Sequence, residues 1–181
     1  GGCMSLLTAL AGSLVKCSLG YVSSNPPSPG LLDQCRRRSL LLPRAYRPGR
    51  TLIMVNVGGC IIPVAFCLYL FARTPVTASE ALVGAALVAV VCRLVSRPIP
   101  GMGIALPLFV APLMAAVTAV LVAPEHSAPL AYVSGTLGVL VGADLLRMED
   151  VRRMGAPMAS IGGAGTYDGI FITGIVAALL A

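Results

Sequence analysis

Charge is what this sequence has least of. Only 11% of its 181 residues are Asp, Glu, Lys or Arg, against about 25% in a typical soluble domain. So few charges cannot cover a water-facing surface when 57% of the chain is hydrophobic and the mean hydropathy is +0.90. A lipid surroundings removes that difficulty, and the length suits one compact domain. Tryptophan is absent and aromatics make up 5% of residues, so the interfacial aromatic belt is thin. Histidine occurs once, as His126 beside Glu125, too few ligands for a metal site. The six cysteines include no C-x-x-C pair, which excludes a zinc ribbon or a disulfide framework. No cofactor and no metal is expected.

What the chain does have is apolar runs. A span needs about 20 apolar residues. Leu52–Ala72, Ala81–Val95, Gly103–Ala123, Leu130–Leu146 and Ile161–Ala181 meet or approach that length. A sixth run, Cys3–Val22, is interrupted by Lys16 and follows a Gly-Gly start. The sequence therefore predicts an all-α, polytopic transmembrane bundle of five to six spans. Residues 1–22 read as a partial or divergent first span, 23–50 as a basic cytoplasmic linker, and 51–181 as a five-span domain. Proline and glycine are dense in the linker, at Pro26, Pro27, Pro29, Gly30, Pro43, Pro48 and Gly49, which argues against a packed element there.

The net charge of +6 invites a nucleic-acid reading, but the basic residues form no stripe with interleaved aromatics. They sit between apolar runs instead. Arg36, Arg37, Arg38, Arg44, Arg47 and Arg50 place the linker in the cytoplasm. Alternating sides then put Arg93, Arg97, Arg147, Arg152 and Arg153 inside as well, and only Arg73 outside. The expected location is a cell membrane, multi-pass, with the C-terminus outside. The lipid bilayer is the expected partner, with a small solute or ion and a homo-oligomer as further ones.

A charged side chain at mid-bilayer costs at least about 2.5 kcal/mol, so polar residues in the runs face a bundle interior or a cavity. Three qualify: Asn56, Asp144 and Asp168, all in the cytoplasmic half under this topology. Thr166 and Tyr167 adjoin the last. Glycine and proline share the bias, in Gly58-Gly59, Pro98–Gly103 and Gly162–Gly165. Pro98–Gly103 and Ser160–Thr166 therefore read as broken helix starts, the arrangement in which transporters build polar sites. Structural roles compete. Gly138 and Gly142 form a G-x-x-x-G packing stripe, which Gly135 extends. Asp144 is close enough to Arg147 at i+3 to pair with it. Asp168 would serve as a helix cap, and Asn56 as an interhelical hydrogen-bonding residue.

Taken together, Asn56-Val57-Gly58-Gly59, Arg97-Pro98-Ile99-Pro100-Gly101, Gly142-Ala143-Asp144-Leu145-Leu146 and Ser160–Phe171 resemble the prokaryotic membrane-protein family catalogued as domain of unknown function 1614, over residues 51–181. That resemblance implies a polytopic prokaryotic membrane protein and no established activity. A weaker likeness is to presenilin-type intramembrane aspartic proteases. Tyr167-Asp168 matches one of their motifs, while Val141-Gly142-Ala143-Asp144 lacks both glycines of the other and the order is reversed. Two nearby carboxylates would share one proton, one acting as base and one as acid.

Three functions follow as expectations. The first is binding or transport of a small solute or ion at Asn56, Asp144, Thr166, Tyr167 and Asp168. The second is aspartic proteolysis by Asp144 and Asp168. The third is a noncatalytic membrane scaffold.

Overall fold

The computed structural model describes residues 16–25, 49–99, 103–154, 158–162 and 169–180. The described residues begin with strand β1 (Lys16–Ser23), and β2 (Arg50–Asn56) follows the linker. A π-helical turn, Val57–Ile61, leads into α1 (Ile62–Arg73). Helix α2 (Ala78–Val95) follows, then the short strands β3 (Arg97–Ile99) and β4 (Gly103–Ala105). Helix α3 (Val110–Val122) and a 3-10 turn, Pro124–His126, precede α4 (Ser127–Val139), which runs on as a second π segment, Leu140–Leu145. Helix α5 (Met148–Met154), strand β5 (Met158–Ile161) and α6 (Gly169–Leu180) complete it.

Helix ends follow local chemistry. Pro63 follows the π turn inside the continuous helix Val57–Arg73, where its nitrogen has no hydrogen to give a helical bond. Helix α2 begins with a full capping box. Thr77 Oγ1 accepts from Glu80 N, and Glu80 Oε2 accepts from Thr77 N at 2.9 Å. It ends at Ser96, two residues before Pro98, because a residue preceding proline is driven out of the helical region.

The strands correct the all-α expectation. Strand β2 lies centrally in a three-stranded sheet, antiparallel to β1 and parallel to β5. The candidate span Leu52–Ala72 therefore starts as strand and turns helical only after Asn56. Ile53 and Val55 suit a pleated surface, and alternation buries Thr51 and Ile53. Pro98–Gly103, read as a broken helix start, lies within the antiparallel pair β3–β4, of which 100–102 fall outside the described residues. Of Ser160–Thr166, read as a broken helix start, Ser160 and Ile161 end the strand Met158–Ile161, and 163–166 lie outside the described residues. Lys16–Ser23, the end of the candidate first span, is strand too.

The helices pack inside-out relative to a soluble protein. Helix α4 lies centrally, contacting α1, α2, α3 and α6, and every residue from Leu130 to Thr136 is buried. Helix α3 buries Ala111, Ala115, Ala116 and Ala119 while exposing Leu113, Val117, Val120 and Leu121. Helix α2 likewise exposes Leu82, Val83, Leu87, Val90 and Leu94. Water would drive the large side chains inward. Lipid gives no such drive, and small residues let backbones approach.

Glycines set the closest contacts. A Cβ on Gly138 would lie 2.6 Å from the Val88 side chain, and one on Gly142 would lie 2.7 Å from Ala89 Cα. The G-x-x-x-G stripe thus seats the end of α4 on α2. Gly135 does not extend it. Its missing Cβ points at Ala115 of α3 and Thr173 of α6, since three residues rotate a helix 60° short of a full turn. By length and apolarity, Ala78–Val95 and Pro124–Arg153 suffice to cross a membrane.

Candidate functional site

Asn56 closes β2 and caps the first π turn. Its Oδ1 accepts from Gly58 N at 3.0 Å and from Gly59 N at 3.3 Å, and the residue is buried. A helix start leaves backbone N–H groups without partners, and an Asn acceptor satisfies them. The backbone of this turn lies against Gly162. A Cβ on Gly162 would meet Cys60 Cβ at 2.7 Å and the Gly59 carbonyl carbon at 2.9 Å. Gly162 itself has φ +81°, a left-handed conformation that glycine adopts at little cost.

Asp144 reaches this junction from the opposite side. It sits in the second π segment, where Leu146 N bonds Val141 O, five residues back. Such π turns within α-helices recur at functional sites. Asp144 Oδ2 accepts from Gly162 N at 3.1 Å. A carboxylate from one helix thus holds the residue that follows β5, and β5 pairs with β2 up to Val55↔Ile161. Two π-distorted helices and the sheet meet around Gly162. The structure brings Asn56 and Asp144 to the same junction through Gly58, Gly59 and Gly162. Thr166, Tyr167 and Asp168 lie outside the described residues.

The Arg147 pairing weighed for Asp144 is not made. Arg147 bonds Asp150 at 2.8 Å instead. Its remaining donors cap the end of α2: Nε to Ser96 Oγ at 3.0 Å, and Nη2 to the carbonyls of Arg93 and Ser96. The side chain is 12% exposed. The Arg147 hydrogen bond holds the Asp150 carboxyl below the usual carboxylate range. Among the described residues, no salt bridge includes Asp144. The sequence spacing offered Arg147 two carboxylates, Asp144 and Asp150, each three residues away. The π turn separates them by swinging Asp144 toward Gly162.

Sequence reasoning missed Gly162 and Cys60 as members of the junction. The signal for Gly162 was the glycine run itself, but a positive φ leaves no other trace in sequence. Among the described residues, no three His, Cys, Asp or Glu side chains gather where they could share a metal ion.

A mostly helical fold with small residues inside, apolar side chains outside and one partly buried carboxylate at a helix–sheet junction defines the class. Residues 10–180 match the family described as a protein of unknown function, DUF1614, and the chain belongs to that family. The match extends upstream of the motif strings, through the linker and β1. No curated protein and no solved structure matches the chain.

Proposed function

We propose that this is a polytopic membrane protein that binds or transports a small solute or ion at the Asp144 junction. The observation that carries the reading is the Asp144 carboxylate, held only by a backbone N–H and facing no basic side chain among the described residues. Such a group is costly in an apolar setting unless it takes up a proton or a cation. The outward apolar faces of α2 and α3 support a lipid surrounding. The arginines on the sheet end, Arg50, Arg93, Arg97, Arg147, Arg152 and Arg153, support a cytoplasmic location for it. The full reading is a five- to six-span protein of a prokaryotic cell membrane with its C-terminus outside. Thr166, Tyr167 and Asp168 complete the site in this reading.

Protonation of Asp144, or cation binding to it, weakens its bond to Gly162 and frees the sheet end from the helical bundle. That supplies a coupling step between site occupancy and chain movement. The glycine-seated contact of α4 on α2 favours a second reading, a scaffold in which Asp144 only pins Gly162.

The test is proton and monovalent-cation flux in liposomes containing the full chain, compared with Asp144→Asn. Asparagine keeps an acceptor for Gly162 N but cannot titrate. Flux abolished in the variant, with its melting temperature unchanged, supports the coupling reading. Equal flux in both proteins would assign Asp144 to the scaffold role.

A further inference from the structure

A second polar feature lies on the same end of the molecule, away from Asp144. Strand β1 ends at Ser23, and the next two residues pass over α5. Arg152 Nε donates to Ser23 O at 3.0 Å, Asn25 N to Arg152 O at 3.1 Å, and Asn25 Nδ2 to Arg153 O at 3.4 Å. Ser24 N also bonds Gly49 O at 3.0 Å, which closes the base of the linker. These bonds border an open surface cleft of about 150 Å³ lined by Ser23, Ser24, Asn25, Glu149, Arg152 and Arg153.

The cleft already holds an anion of the chain's own. Glu149 Oε2 lies 3.2 Å from Arg152 Nη1, and Glu149 Oε1 lies 3.6 Å from Arg153 Nε. One carboxylate thus joins two guanidinium groups, using one oxygen for each. The Arg153 side chain is 73% exposed and Glu149 57%, so the pair exchanges readily with solvent species. A carboxylate brings one negative charge and two oxygens. A phosphate monoester brings about −1.5 to −2 at neutral pH and three acceptor oxygens, a better charge match for two guanidinium groups. The volume falls well below the roughly 300–1,000 Å³ of sites for drug-sized ligands, which suits a headgroup-sized anion.

We propose that this cleft is a phosphate-monoester site, with Glu149 as the internal competitor that a bound phosphate displaces. The shared chemistry is a dianionic phosphate, borne by a phospholipid headgroup or by free inorganic phosphate. This proposal stands apart from the Asp144 reading and survives its failure.

The experiment uses the full chain in phosphatidylcholine nanodiscs. In one arm, inorganic phosphate is titrated by calorimetry. In the other, a minor fraction of phosphatidic acid is included, and its retention through delipidation is read by native mass spectrometry. Binding in the first arm alone identifies free phosphate as the source. Binding in the second alone identifies the headgroup. In whichever arm responds, Arg153→Gln should weaken binding about tenfold, the loss of one charge-assisted contact. Glu149→Gln should tighten it several-fold by removing the competitor. Arg152 is left in place because it also anchors Ser23. The linker arginines offer a nonspecific alternative, controlled by replacing Arg36, Arg37 and Arg38 with Gln. No binding in either arm overturns the proposal. So does wild-type binding by both Arg153→Gln and Glu149→Gln, or weaker binding by Glu149→Gln.

Discussion

Gly142→Ala should destabilise this protein by more than its single methyl suggests. The new Cβ would lie 2.7 Å from Ala89 Cα and 2.9 Å from the Ala89 carbonyl carbon, where carbon atoms prefer about 3.5–4.0 Å. The obstructing atoms are backbone, so no rotamer change relieves the contact, and α4 must move off α2 by roughly 1 Å. Overpacking of this kind costs about 1–3 kcal/mol, and rigid surroundings place it at the upper end. Alanine returns about 1 kcal/mol through helix propensity. The net loss is about 2 kcal/mol, or roughly 4–8 °C in melting temperature for a chain of this size.

Thermal unfolding in detergent, followed by circular dichroism, measures it. Gly138→Ala provides the contrast, because its Cβ would meet the Val88 side chain at 2.6 Å. Val88→Ala removes Cγ1 but keeps the Cβ that lies equally close, so it should recover only part of the loss in Gly138→Ala, whereas Ala89→Gly should recover none of the loss in Gly142→Ala. A melting temperature for Gly142→Ala at or above wild type would refute close α2–α4 packing at this point. So would full rescue by Ala89→Gly.

Three further outcomes are expected. Arg147→Ala should cost about 2–3 kcal/mol by leaving α2 carbonyls and Asp150 without their charged donor, and Arg147→Lys should recover only part of it because lysine lacks the planar fork; chemical denaturation of both variants reads this. Asn56→Ala should cost about 1–2 kcal/mol through the lost cap, visible as faster amide exchange at Gly58 and Gly59. The Asp150 carboxyl has its pKa lowered in the folded chain, so its contribution is present above the unfolded-state value and fades as pH falls through the folded one. Melting curves should accordingly show a wild-type advantage over Asp150→Asn at neutral pH that shrinks in acid.

The site was legible in part. Asn56 and Asp144 stood out because uncompensated polar groups are expensive in apolar runs, and both lie at one junction. Their local roles were not legible. Asn56 reads equally as an interhelical contact or a cap, and only the strand-to-helix transition at Val57 selects the cap. For Asp144, spacing alone allowed an Arg147 pair. The π turn removes it, and a π turn depends on packing rather than on any residue type. Gly135 joined the stripe on paper for a similar reason, since spacing shows that glycines share a helix but not which neighbour each one faces.

The sequence by itself pointed to apolar surroundings. Scarce charge, long apolar runs and arginines gathered between them follow from composition and order, and no tertiary contact is needed to read them. It also determined the ends of α2 at Thr77 and before Pro98, where capping and proline chemistry act within one turn. Tertiary structure alone decided that Leu52–Asn56 and Met158–Ile161 are strands. Their mostly apolar residues serve a helix or a buried strand equally well, and only partners distant in the chain, β1 and β5 for β2 and β2 for β5, supply the backbone hydrogen bonds that choose between them.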